Sequence, residues 1–305
     1  MNADSLQHTI HHPLEFSLGP LTVTGFGFGV LMSFIIAQTV SQRELLRRGH
    51  FAEARAIPDL VVAAIVGGLI GAKLYYVAII ERDAGELFSR FGFVFWGGLI
   101  GGALAVLFVI HRRRLPLARI ADVCGPALAA AYAVGRTACW AVGDDYGRPW
   151  AGGGRLAVQF PEGAPPSTAA ILQSDFGVPI AAGVTPETVL AVHPTQLYEV
   201  AMGLAMFAVL WRLRDHRHSD GWLLGGYMIA AGLERFVVEF FRAKDDRFFG
   251  ALSLAQLIAI AFVVGGAIVM TRTRHARTRP AVPLPAAESP APPPREPEHR
   301  RRTDA

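Results

Sequence analysis

The apolar positions of this chain fall in long unbroken blocks, not at the 3.6-residue period of a surface helix. Seven blocks stand out, over residues 21–40, 57–80, 93–110, 120–142, 193–212, 222–241 and 252–270. A helix of about 20 apolar residues crosses the hydrocarbon core of a bilayer. The pattern therefore predicts an all-α fold, a polytopic membrane helix bundle of about seven transmembrane helices. Pro58 falls in the first turn of the second block, where a missing N–H is tolerated. The longest polar segment, about 143–192, is rich in Gly, Pro and Asp and has room for short strands or a surface helix at no definite position. The expected organisation is a membrane-embedded domain over 1–271, carrying that extracytoplasmic segment. A basic, Pro-rich tail over 272–305 follows, with too few apolar residues to fold.

Basic residues set the expected orientation. Arg43 to Arg55, Arg112 to Arg119, Arg212 to Arg217 and Arg272 to Arg279 flank every second block boundary. The positive-inside rule places these in the cytoplasm, the N-terminus outside and the tail inside. Asp4, His8, His11, His12 and Glu15 precede the first block with no basic region, which argues against a cleaved signal peptide. Composition agrees: 52% of residues are hydrophobic and 18% charged, against about 25% charged in a soluble domain. The net charge of +4 is spread over loops and tail, which fits topology and not nucleic-acid binding. Cys124 and Cys139, on one helix, would lie roughly 22 Å apart at 1.5 Å per residue, too far for a disulfide.

Charges inside the apolar blocks carry the candidate chemistry. Each costs about 2.5–3.5 kcal/mol at the centre of a membrane helix, so it needs a partner or a purpose. With the orientation above, Lys73, Arg136, the stretch 193–199, Arg235, Glu239 and Arg242 all collect in the outer half of the bilayer. Nothing comparable is expected in the inner half. One reading is structural pairing: Arg235 and Glu239 are four residues apart, and Arg136 has Glu199 or Asp144 as candidate partners. The other is a site for an anionic phospholipid, since arginine suits bidentate recognition of phosphate. The glycines at 67, 71, 97, 98, 101 and 102 fit close helix packing or a ligand contact. Trp96 fits an interfacial anchor, and Cys139 a small apolar helix residue. His193 serves as a helix cap, a hydrogen-bond donor or a base. No metal site is expected, for want of a second His or Cys at ligand spacing. His8, His11 and His12 read as a solvated terminus, with metal binding there as the alternative. No Gly-x-Ser-x-Gly occurs.

Four blocks of residues then fall into one pattern. Gly135-Arg136-x-x-Cys139-x-x-x-Gly143-Asp144-x-Tyr146-Gly147-Arg148-Pro149 resembles the signature of the bacterial prolipoprotein diacylglyceryl transferases. So do His193-Pro194-Thr195-Gln196-Leu197-Tyr198-Glu199, Gly97-Gly98-Leu99-Ile100-Gly101 and Arg235-Phe236-Val237-Val238-Glu239-Phe240-Phe241-Arg242. The resemblance covers roughly residues 17–270, in the family's order. It implies transfer of the diacylglyceryl group of phosphatidylglycerol to the lipobox cysteine of a preprolipoprotein, with formation of a thioether and loss of glycerol phosphate. It implies a multi-pass protein of the bacterial plasma membrane with its site toward the outer leaflet, surrounded by membrane lipids and needing no cofactor. Arg136 and Arg235 would hold the head group, and Glu239 would be the acid near Arg235. Asp144 stands where the family usually has glutamate, with Gly147 and Arg148 closing the same turn. Lys73, Trp96, Gly97, Gly98, Cys139, Gln196, Tyr198, Glu199 and Arg242 complete the expected substrate-binding set.

The chain departs from the family at three places. Trp96 stands where the best-known members have His, and indole is a donor that cannot take a proton. Cys139 replaces an Asn, and Phe26 replaces an aromatic hydroxyl. The base is then His193, Asp144 or Glu239, or the lipobox thiol is activated by the positive field alone. A diverged homologue that binds anionic lipid without turnover, or with another substrate, is the first alternative. A transporter is the second, although the repeat symmetry it would want is not evident.

Overall fold

The computed structural model describes residues 8–18, 21–89, 92–150, 152, 154, 156–243, 247–249 and 252–275. A long helix stands at each expected block: α1 (Gly25–Arg47), α2 (Phe51–Tyr75), α3 (Phe95–Arg112), α4 (Leu117–Val142), α6 (Thr195–Arg212), α7 (Trp222–Val238) and α8 (Leu254–Arg272). The short α5 (Ala169–Ser174) lies within the polar segment. The chain is an all-α multi-pass membrane protein. Five helices are long and apolar enough to cross a membrane: α1, α2 with its continuation to Glu81, α3, α4 and α8. Helix α7 has 17 residues, and α6 opens on Thr195, Gln196 and Glu199. The polar side chains that build the candidate site thus dilute the apolar signal of α6.

Boundaries differ from the sequence expectation for local reasons. Leu21–Thr24 is a strand, β3, paired antiparallel with β2 (Glu15–Leu18), and Thr24 caps α1 by accepting from Gly27 N. Helix α2 begins at Phe51, so Pro58 lies inside it and not in its first turn. Proline leaves the carbonyl four residues back without its helical donor. Here that carbonyl, Ala54 O, accepts from Gln42 Nε2 of α1 at 3.3 Å. Beyond Tyr75 the helix widens into a π-turn at Tyr76–Glu81 and stops at Arg82 in the left-handed region. The tail from 276 onward lies outside the described residues.

Helix α4 is the hub. It packs on α1, α6 and α7, while α2 pairs with α3 and α7 with α8. Half of its most apolar window is buried, against 17% for each of the other four apolar helices. Small residues allow this: Ala127, Ala129, Ala130 and Ala133 are all buried. The α2–α3 contact follows the small-residue pattern. A Cβ on Gly71 would strike Gly97 O and come within 2.8 Å of Gly101 Cα, so the two backbones touch. Glycines 71, 97 and 101 therefore pack helices.

The polar segment has a core of its own. Phe160, Leu172 and Val192 are fully buried there, with Tyr146 stacked on Phe160 at 5.4 Å. Strand β1 (Thr9–Ile10) pairs parallel with β4 (Val158–Gln159), drawing the N-terminal segment onto this cap. His11 is consequently buried against Trp140 and Phe160 and not solvated.

One expectation fails outright. The opposite end of the bundle, where α1 finishes and α4 and α7 start, holds a dense ion network. Arg48 joins Glu44 at 2.6 Å and Asp122 at 2.8 Å. Asp122, fully buried, also accepts from the backbone N–H groups of Gly221 and Leu223 at 3.0 Å each. It thereby caps α7. Arg119 ties α4 to Glu53 and Asp220. Sequence reasoning took these basic residues as topology signals and did not pair them with Glu44 and Asp122.

Candidate active site

Helix α4 ends at Gly143 in the left-handed region, its N–H returning to Cys139 O. Two residues on, Asp145 also has a positive φ, of 55°. Aspartate tolerates that conformation better than most side chains. Side chains at the start of α6 hold this turn. Thr195 Oγ1 donates to Asp145 O at 2.7 Å, and Gln196 Nε2 donates to Asp144 O. Gly147 then passes between α6 and α7, donating from its N–H to His193 O at 2.8 Å. A side chain at Gly147 would strike Phe241 O, His193 and Thr195, so only glycine fits. Arg148 follows, bonding Phe241 O through its N–H and Arg242 O through Nε. The 143–149 turn, the start of α6 and the end of α7 are thereby knitted into one unit.

That unit carries a line of charges. Arg136 pairs with Glu199 of α6 and, at 2.9 Å, with Asp145. Asp145 reaches Arg242 at 3.3 Å, Arg242 approaches Glu239 at 3.8 Å, and Glu239 bonds Arg235 at 2.7 Å. Arg136 and Arg235, distant in sequence, are joined through three intermediates. Below Arg136, Tyr132 OH lies 3.1 Å from Glu199 and 2.9 Å from Glu234. The structural-pairing reading is thus correct for Arg136 with Glu199 and for Arg235 with Glu239.

Asp144 differs from these acids. It lines a cavity of about 300 Å³ with Glu15, Phe26 and Glu162, and its Oδ1 has no hydrogen-bond partner among the described residues. Burial and then the neighbouring Asp145 carboxylate push its carboxyl up to about 6. Asp145 itself is shifted the other way: desolvation opposes ionisation, but Arg242 and Arg136 outweigh it and lower its pKa. Cys139 Sγ and carboxylate oxygens of Asp144 and Asp145 lie within 4.8 Å of one another, a grouping that sequence spacing did not show. Arg136 Nη1, 3.3 Å from that sulfur and bonded to Asp145, already supplies the positive charge there. The Arg136–Asp145 ion pair thus runs along one side of this group.

The remaining candidates sit around this centre. His193 packs against Trp150 and Phe241, with Nδ1 3.3 Å from Tyr198 OH. Burial and the Arg148 charge lower its pKa. Lys73 does not join the arginine line through any described contact; its Nζ holds Ser89 and lies over Tyr76 and Phe93. Trp96 is 44% exposed on α3, edge-on to Phe95. Gly97 is buried against α2, and Gly98 faces Gly68 O. Both cysteines are free thiols.

Sequence reasoning missed three residues here. Asp145, the bridge of the line, was overshadowed by its neighbour in the family signature. Tyr132 stands one helical turn before Arg136, and that spacing was the available signal. Glu234 lies beside Arg235 in the seventeen-residue α7, and its role shows only through its contact with Tyr132 of α4.

Two comparisons bear on this arrangement. The family model described as prolipoprotein diacylglyceryl transferase matches residues 13–272. A protein of Bordetella parapertussis named phosphatidylglycerol–prolipoprotein diacylglyceryl transferase is 28% identical over 280 residues, 86% of this chain and 95% of its own. One of the same name from Burkholderia mallei is 30% identical over 285 residues, again 86% and 95%. With its signature turn, its α6 start and its α7 end meeting in one charged centre, the chain belongs to the prolipoprotein diacylglyceryl transferase family.

Proposed function

We propose that the chain transfers the diacylglyceryl group of phosphatidylglycerol to the lipobox cysteine thiol of a preprolipoprotein, releasing glycerol phosphate. Membership of an enzyme family with that name supports the reaction and both substrates. Neither the family match nor the relatives' names favours the lipid-binding or transport alternative. The observation that carries the residue roles is the ion-paired line from Arg136 to Arg235 beside the Asp144 cavity.

Arg136, Arg235 and Arg242 hold the phosphate, whose leaving oxygen gains charge as its bond to the glyceryl carbon breaks. A thiol of pKa about 8.5 must lose its proton before sulfur attacks that carbon. Asp144 is the residue best placed to take it. A carboxyl near 6 is suited to proton transfer close to neutrality. Glu239 is engaged by two arginines, and His193 is wedged between aromatic rings. Gly147 and Arg148 keep the turn closed, and Gln196 and Glu199 position Asp144 and Arg136. The reading assigns no metal or dissociable cofactor.

All seven long helices span the bacterial plasma membrane in this reading, with the N-terminus outside and the charged centre toward the outer leaflet. The basic clusters at the ends of α1, α3, α6 and α8 support that orientation. The membrane domain then covers 1–271 and a cytoplasmic tail 272–305. Transfer of labelled diacylglycerol from phosphatidylglycerol to a lipobox peptide by purified protein is the test. Binding of phosphatidylglycerol with no transfer would defeat the reading.

A further inference from the structure

The Asp145 carboxylate spans two guanidinium groups from different helices. Its Oδ2 lies 2.9 Å from Arg136 Nη1 and its Oδ1 3.3 Å from Arg242 Nη2. The two non-bridging oxygens of a phosphate diester offer the same pair of acceptors on one anion. We propose that Asp145 occupies the phosphate seat of the resting enzyme, as an internal anion that the substrate phosphate displaces. This rests on the diacylglyceryl-transfer reading above.

Three observations separate Asp145 from a structural partner. The side chains of Glu199 and Glu239 are 3% and 6% exposed, whereas that of Asp145 is 42% exposed and has open space to move into. It sits on a turn with φ of 55°, outside both helices, so its side chain can leave without moving α4 or α7. The buried Nε of Arg136 has no acceptor among the described residues, so the seat offers a donor that the carboxylate leaves unused.

Charge balance gives the exchange its direction. Arg136, Arg235 and Arg242 face Glu199, Glu239 and Asp145, three charges of each sign, with Asp144 beside Asp145, so the site holds no spare cation. Adding a phosphate monoanion without losing a carboxylate would leave an uncompensated charge in a water-poor site. Swinging Asp145 outward keeps the count of anions unchanged. The same carboxylate competes with the departing glycerol phosphate, so it weakens the hold on substrate and on product alike.

The test compares wild type with Asp145→Asn, which keeps the shape and removes the charge. Three quantities are read: KM for phosphatidylglycerol in mixed micelles, the inhibition constant of free glycerol phosphate, and the rise in melting temperature on adding phosphatidylglycerol or phosphatidylethanolamine. Both constants should fall together, by roughly three- to tenfold for one competing ionic contact. The melting shift should grow more for phosphatidylglycerol than for the zwitterionic lipid. Asp145→Ser repeats the measurement if the asparagine variant folds poorly. Unchanged or raised constants in a folded variant overturn the proposal, as does failure of both variants to fold, which would make Asp145 a structural lock. A larger melting shift for phosphatidylglycerol in Asp145→Asn, with no transfer by wild type, would sink the transferase reading and reduce this inference to an anion seat without turnover.

Discussion

Arg136 of α4 and Glu199 of α6 form a buried ion pair, and Tyr132 OH supports the same carboxylate from one turn below. The arginine inside the membrane helix is therefore compensated before any substrate arrives. Its guanidinium is held in place by groups from α6 and from the turn after α4. Preorganised charge of this kind costs no reorganisation when the leaving group develops its own.

Replacing either end of the ionic line should remove catalysis. Arg136→Ala and Arg235→Ala are each expected to lower transfer by about 100-fold or more, the usual effect of losing a preorganised charge donor. Arg136→Ala also leaves Glu199 without its cation, so its melting temperature should fall further than that of Arg235→Ala, whose partner Glu239 keeps Arg242. Transfer assays and thermal unfolding on detergent-purified protein check both. Wild-type rates in either variant would remove that arginine from the site.

Asp144 gives a pH signature. With its carboxyl near 6, transfer should rise with pH along an acid limb centred there, as the carboxylate forms. Stability runs the other way. Its ordinary value of 3.8 is lower than its folded value, so between those two pH values the folded protein binds more proton and loses stability as pH rises. Asp144→Asn should therefore raise stability at pH 7 by about 1–2 kcal/mol, after discounting for partial solvent access, while nearly abolishing transfer. An active Asp144→Asn enzyme with an unchanged acid limb would move the base elsewhere.

The helices were legible because a bilayer demands long apolar runs, and no tertiary information is needed to see them. The charges of the Arg136 line were legible because Arg136, Glu199 and Arg235 interrupt such runs. What escaped depends on three-dimensional proximity. Asp122 and Glu44 sit in unremarkable helical sequence and matter only because Arg48 and the start of α7 arrive beside them. The cap formed by 143–192 was illegible for a related reason. Its order rests on a few residues, Phe160, Leu172 and Val192, separated by loops with no periodicity. Pro58 misled about the start of α2 because a side chain on another helix, Gln42, satisfies the carbonyl it frees.

The ion network at the opposite end should matter for stability and not for lipid recognition. Asp122→Ala leaves Arg48 with Glu44 as its remaining carboxylate and uncaps α7; a buried pair broken outright costs about 3–5 kcal/mol, which is the upper bound here. The variant should melt well below wild type. Molecules that remain folded should show an unaltered KM for phosphatidylglycerol, because no described contact links Asp122 to the Arg136 line. A KM change at constant stability would reveal coupling between the two ends.

The glycines of α2 and α3 separate packing from substrate contact. A Cβ at Gly71 meets the backbone of Gly97 and Gly101, which cannot yield without parting the helices. Gly71→Ala should therefore cost about 1–3 kcal/mol, the range for overpacking a close contact. At Gly98 the nearest neighbours of a new Cβ are Gly68 O at 3.4 Å and Ala72 Cβ at 3.5 Å, ordinary contact distances. Gly98→Ala should thus shift stability by no more than about 0.5 kcal/mol. Its transfer rate then reports on the lipid alone: a normal rate assigns Gly98 to packing. A loss of activity at unchanged melting temperature would instead place the substrate against this face of α3.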